Sequence, residues 1–364
     1  MVSTASPSAA QHPETAYDLR SLTFRVESFA DDHLPLVARF SERYWLRPRT
    51  AAYYRWRYLD AEPFSRHFLA LTDDECLGMV FALRKQYVID GQGASCLEVF
   101  DWHSLPQLRG SGVGIRLMRA MMRTGERLIA IGGTRDAVSA LPVMGWQRIG
   151  SARSFELPLA AEPLNDSLQR RLPVPVPGAR VALRVATRCW FRPRRRMVRG
   201  VTVPVPLLTP DLQALYEPAS GYDVMQVPNP ELFDWMHAGA DITGAYSVLK
   251  FMIDDELRGW ALTRVYPTPQ GTEAAILDLY APRTDVALYT WMVSEAATSL
   301  LPARPARIRA RATCPILQAA LRANRFRAGD EAPIHTWPAT LRAGMRLHIT
   351  LNHTDEPLRP YRVR

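Results

Sequence analysis

The sequence feature that most limits the choice of fold is an internal repeat. The segments TDDECLGMVFALR and IDDELRGWALTRV begin at Thr72 and Ile253, and each places an acidic turn before a glycine and an apolar strand pattern. Paired positions lie at a nearly constant separation along the chain: Asp73 and Asp254, Gly78 and Gly259, Trp56 and Trp235, Asp101 and Asp278, Trp146 and Phe326. Such regular separation predicts two copies of one unit of about 140 residues.

Within the first copy, the hydrophobic periodicity alternates between that of strands and that of helices. Strands are predicted at Leu22–Phe29, Leu77–Val88 and Cys96–Ser104, and helices at Asp31–Tyr44 and Gly110–Met122. The complete predicted order is β-α-α-β-β-β-α-β-α-β. We therefore expect an α/β protein, of the α+β class, built from two tandem domains that each contain a mixed sheet.

Composition indicates where these copies begin and end. Proline recurs in LPVPVPG and TVPVP in the middle of the chain, which is typical of a linker. The predicted segments are a flexible tail at 1–18, the first copy at 19–160, a proline- and arginine-rich linker at 161–200, a degenerate second copy at 201–340 and a C-terminal extension at 341–364.

Composition also excludes several classes of protein. Of the 364 residues, 47% are hydrophobic and 22% are charged, which is too apolar for a disordered chain. No stretch reaches the roughly 18 uninterrupted apolar residues that a membrane-spanning helix needs. The four cysteines lie far apart without Cys-x-x-Cys or Cys/His spacing, which argues against a disulfide framework or a structural zinc site and favours a reducing cytoplasm.

The sharpest local signal is a glycine-rich turn between a predicted strand and a predicted helix. It has the sequence PQLRGSGVG from Pro106 to Gly114. Such a turn exposes consecutive backbone N–H groups, and the helix dipole adds partial positive charge, so it forms a cradle for an anion such as a pyrophosphate. It is not a Walker A loop, because no Lys-Ser/Thr follows. The alternative is a tight turn that needs glycine only for packing.

In its context this segment resembles the GCN5-related N-acetyltransferase (GNAT) superfamily, whose signature is a strand, then P-x-x-R-G-x-G-x-G, then a helix. The pair Gly145-Trp146 before the last strand and the order of elements match as well. The resemblance implies that acyl-coenzyme A, in particular acetyl-CoA, is a co-substrate and that no metal is needed. By that resemblance the CoA-binding residues are Trp102, Ser104, Leu108, Arg109, Gly110, Ser111, Gly112, Val113 and Gly114.

The second copy departs from the family pattern at the equivalent loop. After Asp278 the chain reads LYAPRTDVALYTWM, in which Asp285, Leu288 and Tyr289 replace the open amides of a G-x-G turn. A carboxylate there would repel a pyrophosphate. We therefore expect that only the first copy binds the co-substrate and that the second serves as a scaffold or as a wall of the acceptor site.

Acyl transfer to an amine needs a group that accepts the proton of the amine. In the predicted strand Cys96–Ser104 the candidates are Glu98, His103 and Asp101, in that order. Alternation places Asp101 and His103 on one face and Glu98 on the other, unless a bulge intervenes. A structural role is the alternative for each residue, and it is strongest for Asp101, because Asp278 recurs in the copy that is expected to be inactive.

The segment Arg43–Tyr58, RYWLRPRTAAYYRWRY, is dense in arginine and aromatic residues. In the GNAT family the two early helices form a wall of the acceptor site, and arginine binds carboxylate and phosphate groups well. The segment therefore indicates either an acidic or nucleotide-linked acceptor, or an amphipathic helical pair whose arginines face water.

A second arginine-rich segment lies in the predicted linker, where Arg180–Arg199 contains eight arginines and no acidic residue. A basic stripe beside an apolar one is typical of an interfacial helix, so weak contact with an anionic membrane surface is one interpretation, and a solvated linker is the other. Membrane contact would place the protein peripherally at the inner membrane face. No nucleic-acid motif is recognisable, which disfavours nucleic acid as a partner.

Together these features predict a cytoplasmic N-acyltransferase that uses acetyl-CoA and attacks it directly with a small amine, such as an amino sugar or an amino acid derivative. Two alternatives remain open at this stage. One is a CoA-binding scaffold or sensor without catalysis. The other is a tandem transferase that uses aminoacyl-tRNA, which suits the basic linker but not the intact glycine-rich loop.

Overall fold

The structure is a computed structural model, and its described part has a mixed α/β fold, as the sequence predicts. The described residues are 17–19, 22–45, 49–62, 64–159, 191, 198–206, 208–216, 221–269, 271–282 and 285–360. Most of the predicted linker, including nearly all of the arginine-rich segment Arg180–Arg199, lies outside the described residues, as does nearly all of the predicted tail at 1–18.

Strands and helices alternate along the chain in an order close to the predicted one. The strands are β1 (Arg25–Ser28), β2 (Ser65–Leu71), β3 (Cys76–Ile89), β4 (Gln92–Ser104), β5 (Arg127–Ile131), β6 (Gln147–Pro158), β7 (Gly200–Val205), β8 (Val224–Val227), β9 (Ala245–Ile253), β10 (Glu256–Thr268), β11 (Gly271–Tyr280), β12 (Arg307–Ala312), β13 (Arg327–Trp337) and β14 (Leu347–His348). The α-helices are α1 (Leu34–Trp45), α2 (Ala51–Tyr54), α3 (Val113–Met122), α4 (Arg135–Val143), α5 (Pro230–Ala238), α6 (Ala240–Thr243), α7 (Val286–Leu300) and α8 (Pro315–Ala323).

The chain forms two compact units. The first unit comprises Met1–Leu83 and Val99–Glu126, and the second comprises Arg84–Glu98 and Arg127–Arg364. Strands β3 and β4 are long, and each contributes residues to both units.

In the first unit, β1, β2, β3 and β4 lie side by side, with antiparallel pairing from β1 to β3. Helix α3 packs closely on this sheet at Gly78. A β-carbon at Gly78 would lie 2.6 Å from the carbonyl oxygen of His103 in β4 and 3.1 Å from Leu117 in α3. Glycine is therefore what allows β3, β4 and α3 to approach one another at the turn between β4 and α3.

The second unit contains a mixed sheet in the order β5-β13-β6-β12-β11-β10-β9-β7. Strands β11 and β12 are parallel, whereas β12 and β6 are antiparallel. A hydrophobic cluster in this unit includes Tyr87, Ile129, Ile149, Ile334 and Ile349, all of which are buried.

Two strands of this sheet pair across the predicted boundary between the copies. Strand β13, from the predicted second copy, lies between β5 and β6 of the predicted first copy, and its Ile334 is opposite Ile131 of β5. Strand β6 in turn lies beside β12, where Phe155 is opposite Ala310. Each predicted copy therefore completes its part of this sheet with a strand from the other.

The order of strands and helices from α2 to β6 recurs from α5 to β13, with α6 added. Matched residues also have matched surroundings. A β-carbon at Gly259 in β10 would lie 2.7 Å from the carbonyl oxygen of Tyr280 in β11 and 2.6 Å from Met292 in α7, so Gly259 permits the same close packing that Gly78 permits. Trp56 and Trp235 are both buried.

The C-terminal extension differs from the expectation. The alternation at Arg342–Leu351 predicts an extra strand, but β14 covers only Leu347–His348, where it pairs in parallel with β8. The chain then enters a short 3-10 helix at Leu351–His353, whose three residues are buried. Burial of this segment by tertiary contacts, and not local strand propensity, determines its conformation.

Candidate functional site

The loop after β4 opens helix α3 without a side-chain cap. Gly110 and Gly112 adopt a left-handed backbone, with φ of +85° and +83°. Gly112 is the N-cap residue of α3, so the cap residue offers no side chain to the first N–H groups of the helix. A β-carbon at either glycine would meet nothing within 4 Å, so open space lies in front of the loop.

The backbone N–H groups of this loop fall into two sets. Those donated to carbonyl groups of the loop itself belong to Leu108, Arg109 and Ser111. Those that make no hydrogen bond to any described residue belong to Gly110, Gly112 and Gly114. The N–H of Val113 approaches the Ser111 hydroxyl at 3.4 Å. Three of the predicted CoA-binding residues, Gly110, Gly112 and Gly114, thus have N–H groups available for an anion at a helix N-terminus, whereas the N–H of Leu108 already bonds to Leu105.

Trp102 joins the end of β4 to the start of α3. Its indole Nε1 donates a hydrogen bond to the carbonyl oxygen of Gly114 over 2.8 Å. A β-carbon at Gly114 would lie 3.5 Å from the same nitrogen and 4.0 Å from the Ser104 hydroxyl. Trp102 and Ser104 therefore lie beside the glycine-rich helix start, and the Arg109 side chain is exposed in the same loop.

Glu98, the first predicted proton acceptor, is buried in an ion pair. Its Oε2 lies 2.7 Å from Nζ of Lys85, and the Tyr87 hydroxyl donates to its Oε1. The Glu98 side chain is only 1% exposed. Burial raises the pKa of Glu98, against the opposing effect of Lys85. A carboxyl group that is enclosed and already paired is poorly placed to take a proton from a substrate. The structure therefore does not support Glu98 as the first candidate for the proton acceptor.

Asp101 is held by two residues of the segment after α1. Arg57 Nε and Nη2 donate to Asp101 Oδ2 over 3.0 and 2.6 Å, and the Tyr58 hydroxyl donates to the same oxygen over 3.1 Å. Burial alone would raise the pKa of Asp101, but Arg57 and His103 outweigh it and hold this pKa below its usual value. The carboxyl group is therefore ionised at neutral pH, and its hydrogen bonds to Arg57 and Tyr58 hold the strand and this segment together.

His103 lies between Asp101 and a tyrosine of α1. Its Nδ1 is 3.1 Å from the Tyr44 hydroxyl, and its Nε2 is 4.0 Å from Asp101 Oδ1. The side chain is 24% exposed, in contrast to that of Glu98. Of the three predicted candidates, His103 thus combines solvent access with a partner that orients the ring and a carboxylate that would stabilise its protonated form.

The structure also shows the contacts of several residues in the arginine- and aromatic-rich segment, whose role the sequence left undecided. Arg57 is buried and binds Asp101, so this arginine is not available to an acidic acceptor. Tyr44 and Tyr58, its neighbours in the aromatic segment, contact His103 and Asp101. The arginine-aromatic pattern was the signal for these contacts, but it did not tell which strand residues they would reach. The left-handed backbone of Asp101, with φ of +43°, further breaks the simple alternation of β4.

The equivalent helix start in the second half is capped by its own side chains. The Asp285 carboxylate accepts the N–H of Ala287 over 2.7 Å at the start of α7. The Tyr289 hydroxyl accepts the N–H of Ala281 over 3.1 Å and donates to the carbonyl oxygen of the same residue over 2.9 Å. The N–H groups of Ala281 and Ala287 therefore already have partners, unlike those of the three glycines in the first loop.

Comparison with known proteins assigns the part of the chain that contains the glycine-rich loop to a family. The model described as the acetyltransferase (GNAT) family matches residues 30–140. No curated protein matches the chain.

Solved structures share the fold at low sequence identity. N-myristoyltransferase from Saccharomyces cerevisiae with bound myristoyl-CoA has a TM-score of 0.58 at 13% identity, covering 93% of this chain and 83% of that one. A GCN5-related N-acetyltransferase from Anabaena variabilis has a TM-score of 0.55 at 12% identity, covering 86% and 72%. A GCN5-related N-acetyltransferase from Kribbella flavida has a TM-score of 0.52 at 14% identity, covering 86% of this chain and 71% of that one. At such identities the likeness is one of fold.

Metal clusters and membrane-spanning helices are both absent from the described residues. These residues contain no group of three or more His, Cys, Asp or Glu side chains arranged to hold a metal ion. No helix within the same residues has the length and apolarity needed to cross a membrane.

Proposed function

Since residues 30–140 form a domain of the acetyltransferase (GNAT) family, we propose that this protein is an acyl-CoA-dependent N-acyltransferase with acetyl-CoA as donor. The acceptor is a small amine, such as an amino sugar or an amino acid derivative. The observation that carries the proposal is the helix start at Gly112, where three glycine N–H groups have no partner among the described residues and a β-carbon at Gly110 or Gly112 would meet nothing within 4 Å.

The proposed donor site is the loop from Leu108 to Gly114. A pyrophosphate is bound well by several N–H donors beside a positive helix end, and the loop has three such donors at the start of α3. Arg109 adds an exposed positive charge beside them. Trp102 fixes the position of the loop through its hydrogen bond to Gly114, so the donors are held ready before the ligand arrives.

The proposed proton acceptor is His103. Bound acyl-CoA supplies the activated thioester. As the neutral amine forms its bond to the carbonyl carbon and the carbon–sulfur bond breaks, His103 takes the proton that the nitrogen loses, and the sulfur leaves as the thiolate of CoA. Tyr44 holds Nδ1 of the ring, and the ionised Asp101 stabilises the charged ring electrostatically. Asp101 is a positioning residue in this scheme.

The proposal includes one donor site per chain. We propose that the second half is a degenerate copy of the first, because Asp285 and Tyr289 already occupy backbone groups at its helix start. A carboxylate at that position would also repel a pyrophosphate.

The test combines binding with turnover. Isothermal titration of the full chain with acetyl-CoA is expected to give one site per chain, and a panel of amino sugars and amino acid derivatives is expected to release free CoA in an amine-dependent way. Absence of CoA binding would contradict the donor site. Binding without CoA release across the panel would favour a CoA-binding scaffold instead.

A further inference from the structure

An open groove with a volume of about 440 Å³ lies on the second unit. That volume is within the range of about 300–1,000 Å³ that ligand sites usually have. Strand β3, the 3-10 helix at Pro210–Tyr216 and the connection from β8 to α5 all contribute to it. Its apolar lining comes from Val227, Pro228 and Pro230, and its polar lining includes Gln86, Gln213 and Glu231.

Two carboxamide side chains of this lining have no partner within the described part of the protein. Gln86 and Gln213 are exposed, and neither side chain forms a hydrogen bond with any residue that the structure describes. A carboxamide has an acceptor oxygen and an NH₂ group that donates, and a peptide group offers the complementary donor and acceptor. Carboxamides that line a groove therefore suit the main chain of an extended peptide.

The Glu231 carboxylate is a third polar group that the fold leaves unused. It lies in the first turn of α5, where Asn229 Oδ1 already accepts the N–H groups of Glu231 and Leu232 over 3.0 and 3.4 Å. The helix dipole favours a carboxylate at this position, but it does not occupy the carboxylate oxygens. No Lys, Arg or His among the described residues pairs with Glu231, so its charge is available to a cationic group of a ligand.

The residue types in the lining select among classes of ligand. The described residues that line the groove include no lysine, arginine or histidine, so they offer no cation to a phosphate or a carboxylate. They also include no aromatic ring on which a sugar or a nucleobase would stack. The combination of free carboxamides, one carboxylate and an aliphatic floor is best matched by a peptide with a basic side chain.

We propose that this groove binds a short extended peptide segment that contains a basic residue. Gln86 and Gln213 pair with the main chain of the peptide, and Glu231 pairs with its basic side chain. The aliphatic stem of that side chain lies on the apolar lining formed by Val227 and Pro228. The groove contains none of the residues of the proposed donor loop, and the binding does not require acyl transfer.

The test is isothermal titration of the full chain with acetyl-Ala-Ala-Lys-Ala-Ala-amide at pH 7 and low ionic strength, without any CoA compound. The same peptide with N-methylated main-chain amides, which cannot donate, is expected to bind at least tenfold more weakly. The peptide with norleucine in place of lysine is expected to bind about threefold more weakly, the usual effect of an exposed ion pair. Equal binding of the three peptides, no binding of the lysine peptide at millimolar concentration, or binding of the disaccharide cellobiose in its place would overturn the proposal.

Matched variants locate the site. The double variant Gln86→Leu with Gln213→Leu keeps side chains of similar size without amides, and it is expected to weaken binding of the lysine peptide at least tenfold. Glu231→Gln is expected to abolish the preference for lysine over norleucine, whereas Asp241→Asn, which removes an exposed carboxylate outside the groove, is expected to preserve it. Wild-type affinity in the double variant would refute the site. Should that variant fail to fold by circular dichroism, the comparison of N-methylated with unmodified peptide on the wild type still decides.

Discussion

Nζ of Lys85 lies 2.7 Å from Oε2 of Glu98, and both side chains are almost fully buried. The hydroxyl of Tyr87 donates to the other Glu98 oxygen, so the carboxylate is bound on both sides by its own unit. Such a pair contributes to the fold chiefly because either partner alone would be a buried charge without compensation. If Glu98 is structural, its loss should lower stability, whereas if it is catalytic, its loss should lower turnover.

Glu98→Gln is therefore expected to lower the free energy of unfolding by about 3–5 kcal/mol, because Lys85 is left as a buried charge without a carboxylate to balance it. Turnover per folded molecule is expected to remain within about twofold, since Glu98 is not the proposed base. Urea unfolding and steady-state kinetics measure the two quantities. The double variant Lys85→Met with Glu98→Gln should recover part of the lost stability. A large loss of kcat at unchanged stability would restore Glu98 as the base.

His103→Gln is expected to lower kcat by about 10²–10⁴-fold, the usual contribution of a general base, while the affinity for CoA stays within twofold. Steady-state kinetics and titration with CoA measure these effects. His33→Gln is the matched control, because His33 is also a partly exposed histidine near carboxylates, with Nε2 3.6 Å from Glu27. If both variants retain wild-type kcat, the proton leaves by another route.

Gly112→Glu is expected to weaken CoA binding by about 100-fold or more, because juxtaposed like charges cost several kcal/mol. Isothermal titration measures the change, and circular dichroism verifies that the fold is intact. Gly112→Ala is the control, because it imposes the same strain at φ +83° without adding charge. CoA binding that is lost equally in both variants would mean that backbone geometry, and not charge, explains the effect.

Acidification between pH 6.5 and pH 3 is expected to destabilise the protein through His67 and His353. Burial lowers the pKa of each ring to about 3, whereas histidine in an unfolded chain titrates near 6.5. Below pH 6.5 the unfolded state therefore binds more protons than the native state, and stability falls with pH by about 1.4 kcal/mol per unit for each histidine.

Urea unfolding at pH 7, 6 and 5 measures this slope, and His67→Phe is expected to reduce the loss of stability by about 0.7 kcal/mol between pH 7 and 6 and by about 1.2 kcal/mol between pH 6 and 5. Neither ring nitrogen of His67 has a hydrogen-bond partner among the described residues, and the ring stacks on Phe29 at 4.9 Å, so phenylalanine suits the position. An unchanged slope in His67→Phe would show that this histidine is not the source.

The local parts of the fold and of the site were accessible from the sequence. The turn before α3 was predicted correctly because glycine at Gly110 and Gly112 permits a left-handed backbone that few other residues adopt, and this preference acts over a few residues. Strand β3, which follows the acidic turn at Asp73, and strand β4, which precedes the loop, were predicted from hydrophobic periodicity, which is also a local signal.

The long-range parts were not accessible. The alternation of β4 assigned Glu98 to a face, but it could not reveal that Lys85 of β3 would neutralise it, nor that Arg57 would reach Asp101. A residue with a left-handed backbone inside a strand, such as Asp101, also interrupts the alternation of side chains between the two faces of the sheet, and hydrophobic periodicity cannot predict this. Partners selected by tertiary packing leave little trace in a single sequence.

The pairing of β13 with β5 and β6 has a consequence for biosynthesis. Ile131 and its partner Ile334 are separated by most of the chain, so β5 and β6 leave the ribosome well before the strand that lies between them. At about 5–20 residues per second, roughly 180 residues of synthesis take about 10–40 s. During that interval the nascent chain presents β-strand edges that have no partner and favour aggregation. We therefore expect the yield of native protein to depend on translation speed and on chaperones that cover those edges.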